Sequence, residues 1–281
     1  MAKRMIDSSE YDKIVSLYNN GISTVKIGKM YNCSHKTIAK ILDDYGITRS
    51  TSKYRTYELD INYFDEIDNQ DKAYILGFLY ADGNVGLKKR TVTLSLQESD
   101  MEILNKINSC IGSNAPLHFI DQSKHKQPKE NTDYHYTNMV SLKIYSTHIC
   151  NKLIEHGVYE DKSLILEFPK WLNQNLYSHF IRGYFDGDGS FCTRIADGHG
   201  RRDLITITST DDFCKSVKSI ISDALDIPCG NIYDASCHNG ITKVLSISGA
   251  NQTKLILDWI YKDANLYLER KHNLYLDRFY S

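Results

Sequence analysis

Residues 73–83 read Ala-Tyr-Ile-Leu-Gly-Phe-Leu-Tyr-Ala-Asp-Gly, and residues 179–189 read His-Phe-Ile-Arg-Gly-Tyr-Phe-Asp-Gly-Asp-Gly. In the first stretch the small residues Ala73, Gly77 and Ala81 recur every four positions, so on a helix they share one face. Gly183 and Gly187 repeat that spacing in the second. Small residues on facing stripes let two helix backbones approach closely. The bulky residues on the other faces (Ile75, Leu76, Phe78, Leu79; Ile181, Tyr184, Phe185) are then free to fill a core. Each stretch ends in Asp-Gly, Asp82-Gly83 and Asp188-Gly189, which predicts a helix C-terminus with a left-handed glycine cap.

The similarity extends outward from these helices. Each is followed by a strand alternating apolar and polar residues, TVTLSLQ at 91–97 and LITITST at 204–210. Such alternation marks a strand with one buried and one open face. Each strand runs into an acidic helix start, ESDMEILNKINSCIG at 98–112 and TDDFCKSVKSIISDALDI at 210–227. Two more strands end in MVSLKIYS (139–146) and KVLSISG (243–249), and helices THICNKLIEHG (147–157) and ANQTKLILDWIYKD (250–263) close the units. The pattern αββαββα therefore occurs twice, an internal duplication. The expected domains are 71–168 and 169–281, preceded by a polar linker at 51–70 and a helical domain at 1–50.

In that first domain, Ile14, Val15, Leu17 and Tyr18 form an apolar helix face ending near Gly21. A second helix from Thr24 breaks at Asn32-Cys33, and Ser34 is a good N-cap for a third. Burial of Ile27, Tyr31, Cys33, Ile38 and Ile41, with small Gly28 at the helix crossing, is the pattern of a helix-turn-helix. Its second helix would expose His35, Lys36 and Lys40 to DNA.

Composition is that of a globular protein, 41% hydrophobic and 25% charged. No apolar run reaches the roughly 20 residues that cross a bilayer, and the first residues lack the apolar core of a secretory signal. A cytoplasmic location is expected, or an organellar one in a eukaryote. The net charge of -1 does not itself point to nucleic acid, but residues 1–60 hold ten Lys and Arg against seven Asp and Glu. Seven cysteines, none in a CxxC pair, read as buried thiols; Cys229, Cys237 and His238 lack zinc-ligand spacing.

The two terminal aspartates carry the chemistry. A carboxylate at a helix C-terminus faces the negative end of the macrodipole, at a cost of about 0.3–1 kcal/mol. Two brought together by packed helices also repel. A divalent cation with hard oxygen ligands suits two carboxylates and nearby helix-end carbonyls, and a cation between carboxylates and a phosphate supports phosphodiester hydrolysis.

The segments ILGFLYADG and IRGYFDGDG align without gaps to the nine-residue motif of the LAGLIDADG homing endonucleases, which this chain resembles over about residues 70–281. The motif's sixth position is Tyr80 in one copy and Asp186 in the other. The resemblance implies an α+β fold, two pseudo-symmetric αββαββα units forming a saddle on double-stranded DNA. It implies metal ligation by Asp82 and Asp188, with carbonyls from Ala81 and Gly187, and Mg²⁺ or Mn²⁺ as cofactor. Lys162 and Lys271 look like the family's lysines near the reacting phosphate. The implied activity is site-specific double-strand cleavage by a monomer on a long pseudo-palindromic or asymmetric target. The alternative on the same fold is a DNA-binding regulator without cleavage, or an RNA maturase.

On the reading strands, Val92, Leu94 and Leu96 should face the core while Thr91, Thr93, Ser95 and Gln97 face the groove. Thr206 and Thr208 take that role opposite Ile205 and Ile207. Lys88, Arg90, Lys143, Arg194 and Arg201 are candidate phosphate or guanine contacts, together with Lys89 and Arg202. The loops 123–129 and 197–202 are expected to close around DNA.

Overall fold

A computed structural model describes residues 6–20, 22–47, 57–86, 88–122, 137–196, 200–235 and 242–281. The chain divides into two compact units, 1–58 and 59–281.

The first unit holds helices α1 (Tyr11–Asn19), α2 (Thr24–Met30) and α3 (His35–Asp44). Ser23 and Ser34 cap α2 and α3, their hydroxyls accepting from the Lys26 and Thr37 amides at 3.3 and 3.2 Å. Ile14, Tyr18, Ile27, Ile38, Ile41 and Leu42 form its core, with Tyr31 and Cys33 packed against it. Gly28 meets the turn between α2 and α3: a methyl group there would lie 2.8 Å from the Cys33 carbonyl. The expected helix stop at Gly21 lies outside the described residues.

The second unit repeats one topology. Helix α4 (Gln70–Asp82) leads into β1 (Gly83–Gly86) and β2 (Thr91–Gln97), α5 (Met101–Cys110), β3 (His118–Ile120) and β4 (Met139–Tyr145), and α6 (Thr147–Glu155). Helix α7 (Tyr177–Asp188) leads into β5 (Gly189–Ala196) and β6 (Gly200–Ser209), α8 (Asp211–Leu225), β7 (Asn231–Asp234) and β8 (Lys243–Ser248), and α9 (Ala250–Tyr261). A final helix, α10 (Glu269–Phe279), follows. The sheets have equivalent orders, β1-β2-β4-β3 and β5-β6-β8-β7, all antiparallel. The two αββαββα units expected from the sequence are present, and one apolar cluster runs through both.

Two expectations need correction. Residues 59–69 are not linker: Tyr63 and Phe64 are buried in the core of the second unit, and the Asp60 amide donates to the Ile111 carbonyl at 3.0 Å. The Asn69 side chain caps α4 by accepting from the Asp71 and Lys72 amides, both at 3.1 Å. Leu59 and Ile67 pack against the same core, so four apolar residues dock an otherwise polar stretch. Nor are Gly83 and Gly189 left-handed caps. Both are extended, with φ of -73° and -83°. Space, not φ, demands glycine here: a Cβ would sit 2.6 Å from the Leu79 carbonyl at one position and 2.3 Å from Phe185 Cδ2 at the other.

Candidate active site at the helix seam

Helices α4 and α7 meet through their glycines. A methyl group at Gly77 would lie 2.0 Å from the Phe180 carbonyl oxygen, and one at Gly183 would lie 2.0 Å from that of Tyr74. Gly77 and Gly183 are equivalent in the duplication, as are Tyr74 and Phe180, so the contacts exchange under a pseudo-twofold. The larger residues turn outward as expected: Ile75, Leu76, Phe78 and Leu79, with Ile181, Tyr184 and Phe185, are all buried. Each contributes about 1.5–3 kcal/mol on burial.

This seam carries the two carboxylates to one place. Asp82 ends α4 and Asp188 ends α7. Asp82 Oδ2 lies against the end of α7, 3.0 Å from where a Cβ on Gly187 would sit; the Ala81 Cβ would be 2.3 Å from it. Both aspartates reach solvent, with protein around the rest of each carboxyl. Burial, then the negative charge of Asp188, pushes Asp82 up to about 6, against the pull of Lys271, Lys162 and Arg270. Burial also raises Asp188, opposed by Lys162, Lys271 and a hydrogen bond from Tyr184. The repulsion inferred from sequence is therefore a property of the folded chain.

Lys162 and Lys271 occupy equivalent positions despite unequal spacing in sequence. Lys162 Nζ donates to the Gly83 carbonyl at 2.5 Å, and Lys271 Nζ donates to the Gly189 carbonyl at 2.5 Å. Both side chains are buried, 7% and 5% exposed. Their surroundings differ. Lys271 also donates to the carbonyls of Phe185, Asp186 and Gly187 at 2.6, 2.8 and 3.4 Å. That set saturates an ammonium with three N–H groups, whereas Gly83 is the one carbonyl seen to accept from Lys162 among the described residues. Burial lowers Lys271 to about 8, and it lowers Lys162 as well, against the pull of Asp188 and Asp82. Lys162 rides on a short turn, Lys162–Leu164, entered through a left-handed Asp161 with φ of 55°. Lys271 sits in the first turn of α10.

Asp186 belongs to the site in a way its variable motif position did not signal. Its carboxylate is 1% exposed and accepts three hydrogen bonds: from Tyr74 Oη across the seam at 2.9 Å, from Tyr261 Oη at 2.9 Å and from the Leu268 amide at 2.8 Å. Arg182, fully buried one turn earlier, donates to the carbonyls of Ile260 and Leu266, both at 2.8 Å, and to His179 Nδ1 at 2.7 Å. An arginine between the apolar Phe180-Ile181 and Tyr184-Phe185 pairs of α7 was the available sign of this network. The matching residues of the first copy are Leu76 and Tyr80. Tyr80 instead donates to the His156 carbonyl.

Among the described residues no group of three or more His, Cys, Asp or Glu side chains converges. A cation at the seam would thus have two carboxylates, with helix-end carbonyls that lack intrahelical partners. Two mutually repelling carboxylates set against such carbonyls are a donor set for a hard divalent ion. Of the carbonyls expected to join, that of Gly187 has the long contact to Lys271; no contact of the Ala81 oxygen is seen among the described hydrogen bonds.

Among the solved structures this chain is similar to are LAGLIDADG homing endonucleases. One, I-SmaMI bound to cleaved DNA, is 12% identical with a TM-score of 0.45, covering 75% of this chain and 87% of its own. I-AabMI bound to uncleaved DNA is 13% identical with a TM-score of 0.47, covering 75% and 89%. I-LtrWI bound to target DNA is 12% identical with a TM-score of 0.47, covering 78% and 89%. No sequence-family model and no curated protein matches the chain.

Strand register places the remaining candidates. On the first sheet, Asn84, Thr93 and Lys143 are aligned across three strands, and Gln97 pairs with Met139. Val92, Leu94 and Leu96 face the core as expected. Thr91 shares the open face but is buried, and its hydroxyl donates to the Lys89 carbonyl at 2.9 Å; it is not a free reading residue. Lys88 and Arg90 are exposed in the β1–β2 turn. On the second sheet, Ser190, Thr206 and Ser246 align, and Thr208 pairs with Val244. Arg194 and Arg202 are directly opposed on this open face. Arg201 is exposed as well, but alternation puts it on the helix side of β6 with Asp203 and Ile205; Arg278 first, with Thr193 and then Arg201, holds the Asp203 carboxyl below its ordinary value. Parity, not the basic run itself, separates the two sides of β6 on which these arginines sit. In the first unit His35, Lys36 and Lys40 are exposed on α3. The loop 123–129, residues 197–199, Cys237 and His238 lie outside the described residues. No described helix is long and apolar enough to cross a membrane.

Proposed function

We propose that this chain is a site-specific, divalent-metal-dependent DNA endonuclease of the LAGLIDADG homing type, cutting both strands as a monomer. One observation carries the reading: Asp82 and Asp188 meet at the seam of two glycine-packed helices, flanked by buried Lys162 and Lys271 on equivalent carbonyls. Two open sheet faces, related by the same duplication, flank that seam in the topology.

Asp82 and Asp188 would hold Mg²⁺ or Mn²⁺, with Ala81 and Gly187 as carbonyl donors. Such an ion supplies Lewis-acid activation of phosphate and water. Lys162, with two N–H groups beyond its Gly83 contact, is placed to stabilise charge developing on a phosphate oxygen. Thr93, Gln97, Lys143, Thr206, Thr208, Arg194 and Arg202 would contact DNA from the open faces. Their even spacing on antiparallel strands suits groove readout, with arginine on phosphate or guanine. His35, Lys36 and Lys40 would extend the contact from the helical unit, which lengthens the recognised sequence.

The test starts with selection of bound duplexes from a random DNA library. The recovered sequence, placed in a supercoiled plasmid with Mg²⁺, should be linearised by the wild type and not by Asp82→Asn or Asp188→Asn. Tight binding without any strand break by the wild type would replace this reading with that of a non-cleaving regulator.

A further inference from the structure

We infer that Asp186 is a positioning residue for one of the two half-sites, fixing the first turn of α10 and with it Lys271 against the end of α7. This rests on the nuclease reading above, and it names an asymmetry which that reading does not require.

The argument is geometric. Leu268 is the residue before α10, and its amide is held by Asp186 Oδ2. The next three residues are Glu269, Arg270 and Lys271. Each is tied down: Glu269 to Lys106 Nζ at 3.0 Å, Arg270 Nε to Asp100 at 3.0 Å, and Lys271 to the carbonyls that close α7. Asp186 supplies the one side-chain acceptor in this set that lies on α7 itself. Its side chain anchors the start of α10, while its backbone carbonyl receives the lysine that α10 delivers. Tyr74 and Tyr261 saturate the carboxylate from α4 and α9, and Arg182 holds the 260–266 chain that leads to Leu268. A buried carboxylate with three donors is held rigidly, because losing any donor leaves a desolvated charge.

The first half is built otherwise. Tyr80 stands where Asp186 does, and Lys162 arrives on a three-residue turn with a single carbonyl acceptor seen. The corner Gly187-Asp188-Gly189 is therefore braced by Lys271, and its counterpart Ala81-Asp82-Gly83 is braced at one oxygen. Loosening Asp186 acts on one corner only. The two strands of a duplex, each cut with a different corner, should then respond unequally.

The experiment uses the full chain and the selected duplex, with a different fluorophore on each strand. Lys271→Met defines which strand depends on that lysine. Asp186→Asn should slow the same strand by about 10-fold, the scale of an outer-shell support residue, with the other strand within about twofold. Nicked duplex then accumulates. Tyr261→Phe removes a single donor and should bias the same strand more weakly, which covers the case where Asp186→Asn folds poorly. Lys162→Met should bias the opposite strand. A second readout needs neither DNA nor metal: hydrogen exchange across residues 264–272 should quicken in Asp186→Asn, with residues 180–184 unchanged. Equal slowing of both strands, or unchanged exchange, overturns the inference while leaving the nuclease reading intact. Absence of any cleavage by the wild type sinks that reading, and the exchange result still decides whether Asp186 holds α10.

Discussion

Gly183 approaches Tyr74 so closely that a single methyl group on it would lie 2.0 Å from the Tyr74 carbonyl oxygen. The obstacle is backbone, which cannot rotate aside, so the two helices would have to separate. Gly183→Ala should therefore destabilise by about 3 kcal/mol or more, read as a lower denaturant midpoint. Gly77→Ala should cost a similar amount against the Phe180 carbonyl. A loss well under 1 kcal/mol in either variant would mean that the seam is looser than described.

Asp82 is held partly inside the protein beside another carboxylate, and in the absence of metal that charge opposes folding. Asp82→Asn should be more stable than wild type at neutral pH by about 1 kcal/mol, allowing for solvent screening of an accessible group. Adding Mg²⁺ should reverse the order, because ligation stabilises only a chain that binds. Thermal midpoints with and without the ion give both comparisons. A midpoint for Asp82→Asn below wild type without metal would contradict the electrostatic account.

His179 is kept neutral by burial and by the neighbouring Arg182 guanidinium, which lowers it to about 4. Its folded value lies below its ordinary value, so the unfolded chain binds more protons in between. The associated stability is fully present above the ordinary histidine range and is lost as pH falls from there toward about 4. In urea titrations, His179→Gln should lose less stability than wild type across that window. Parallel curves for the two proteins would remove His179 as the cause.

Arg202 and Arg201 are sequence neighbours on opposite sides of β6. Arg202, whose Nη2 donates to Ser248 Oγ at 2.8 Å, lies on the open face across from Arg194. Like charges directly opposed are unfavourable until an anion separates them. Arg202→Ala and Arg194→Ala should each reduce the slope of log affinity for DNA against log salt by about 1. Arg201→Ala should leave it unchanged. A reduced slope for Arg201 alone would reverse the assignment of faces.

Much of this architecture was legible because it follows from local chemistry. Alternation in TVTLSLQ and LITITST sorted the strand faces, four-residue spacing of Ala73, Gly77 and Ala81 gave the helix contact stripe, and repetition 106 residues apart paired Asp82 with Asp188. Lys162 and Lys271 were found by resemblance. Their equivalence became physical only in the shared contact to Gly83 and Gly189. Thr91 misled because exposure depends on which neighbours cover a strand end, and the side of β6 that Arg201 takes depends on where alternation is counted from.

The sequence by itself determined the duplicated αββαββα order, the glycines that let two helices touch and the acids at their ends, since spacing and residue size are one-dimensional facts. Tertiary structure alone decided that Asp186 reaches Tyr74, Tyr261 and the Leu268 amide, residues 112, 75 and 82 positions away. It alone decided that Lys271 is saturated by carbonyls while Lys162, among the described residues, meets the Gly83 oxygen. Such contacts arise when separate elements close a low-dielectric core and every buried charge must find its partners there, a constraint that no local pattern records.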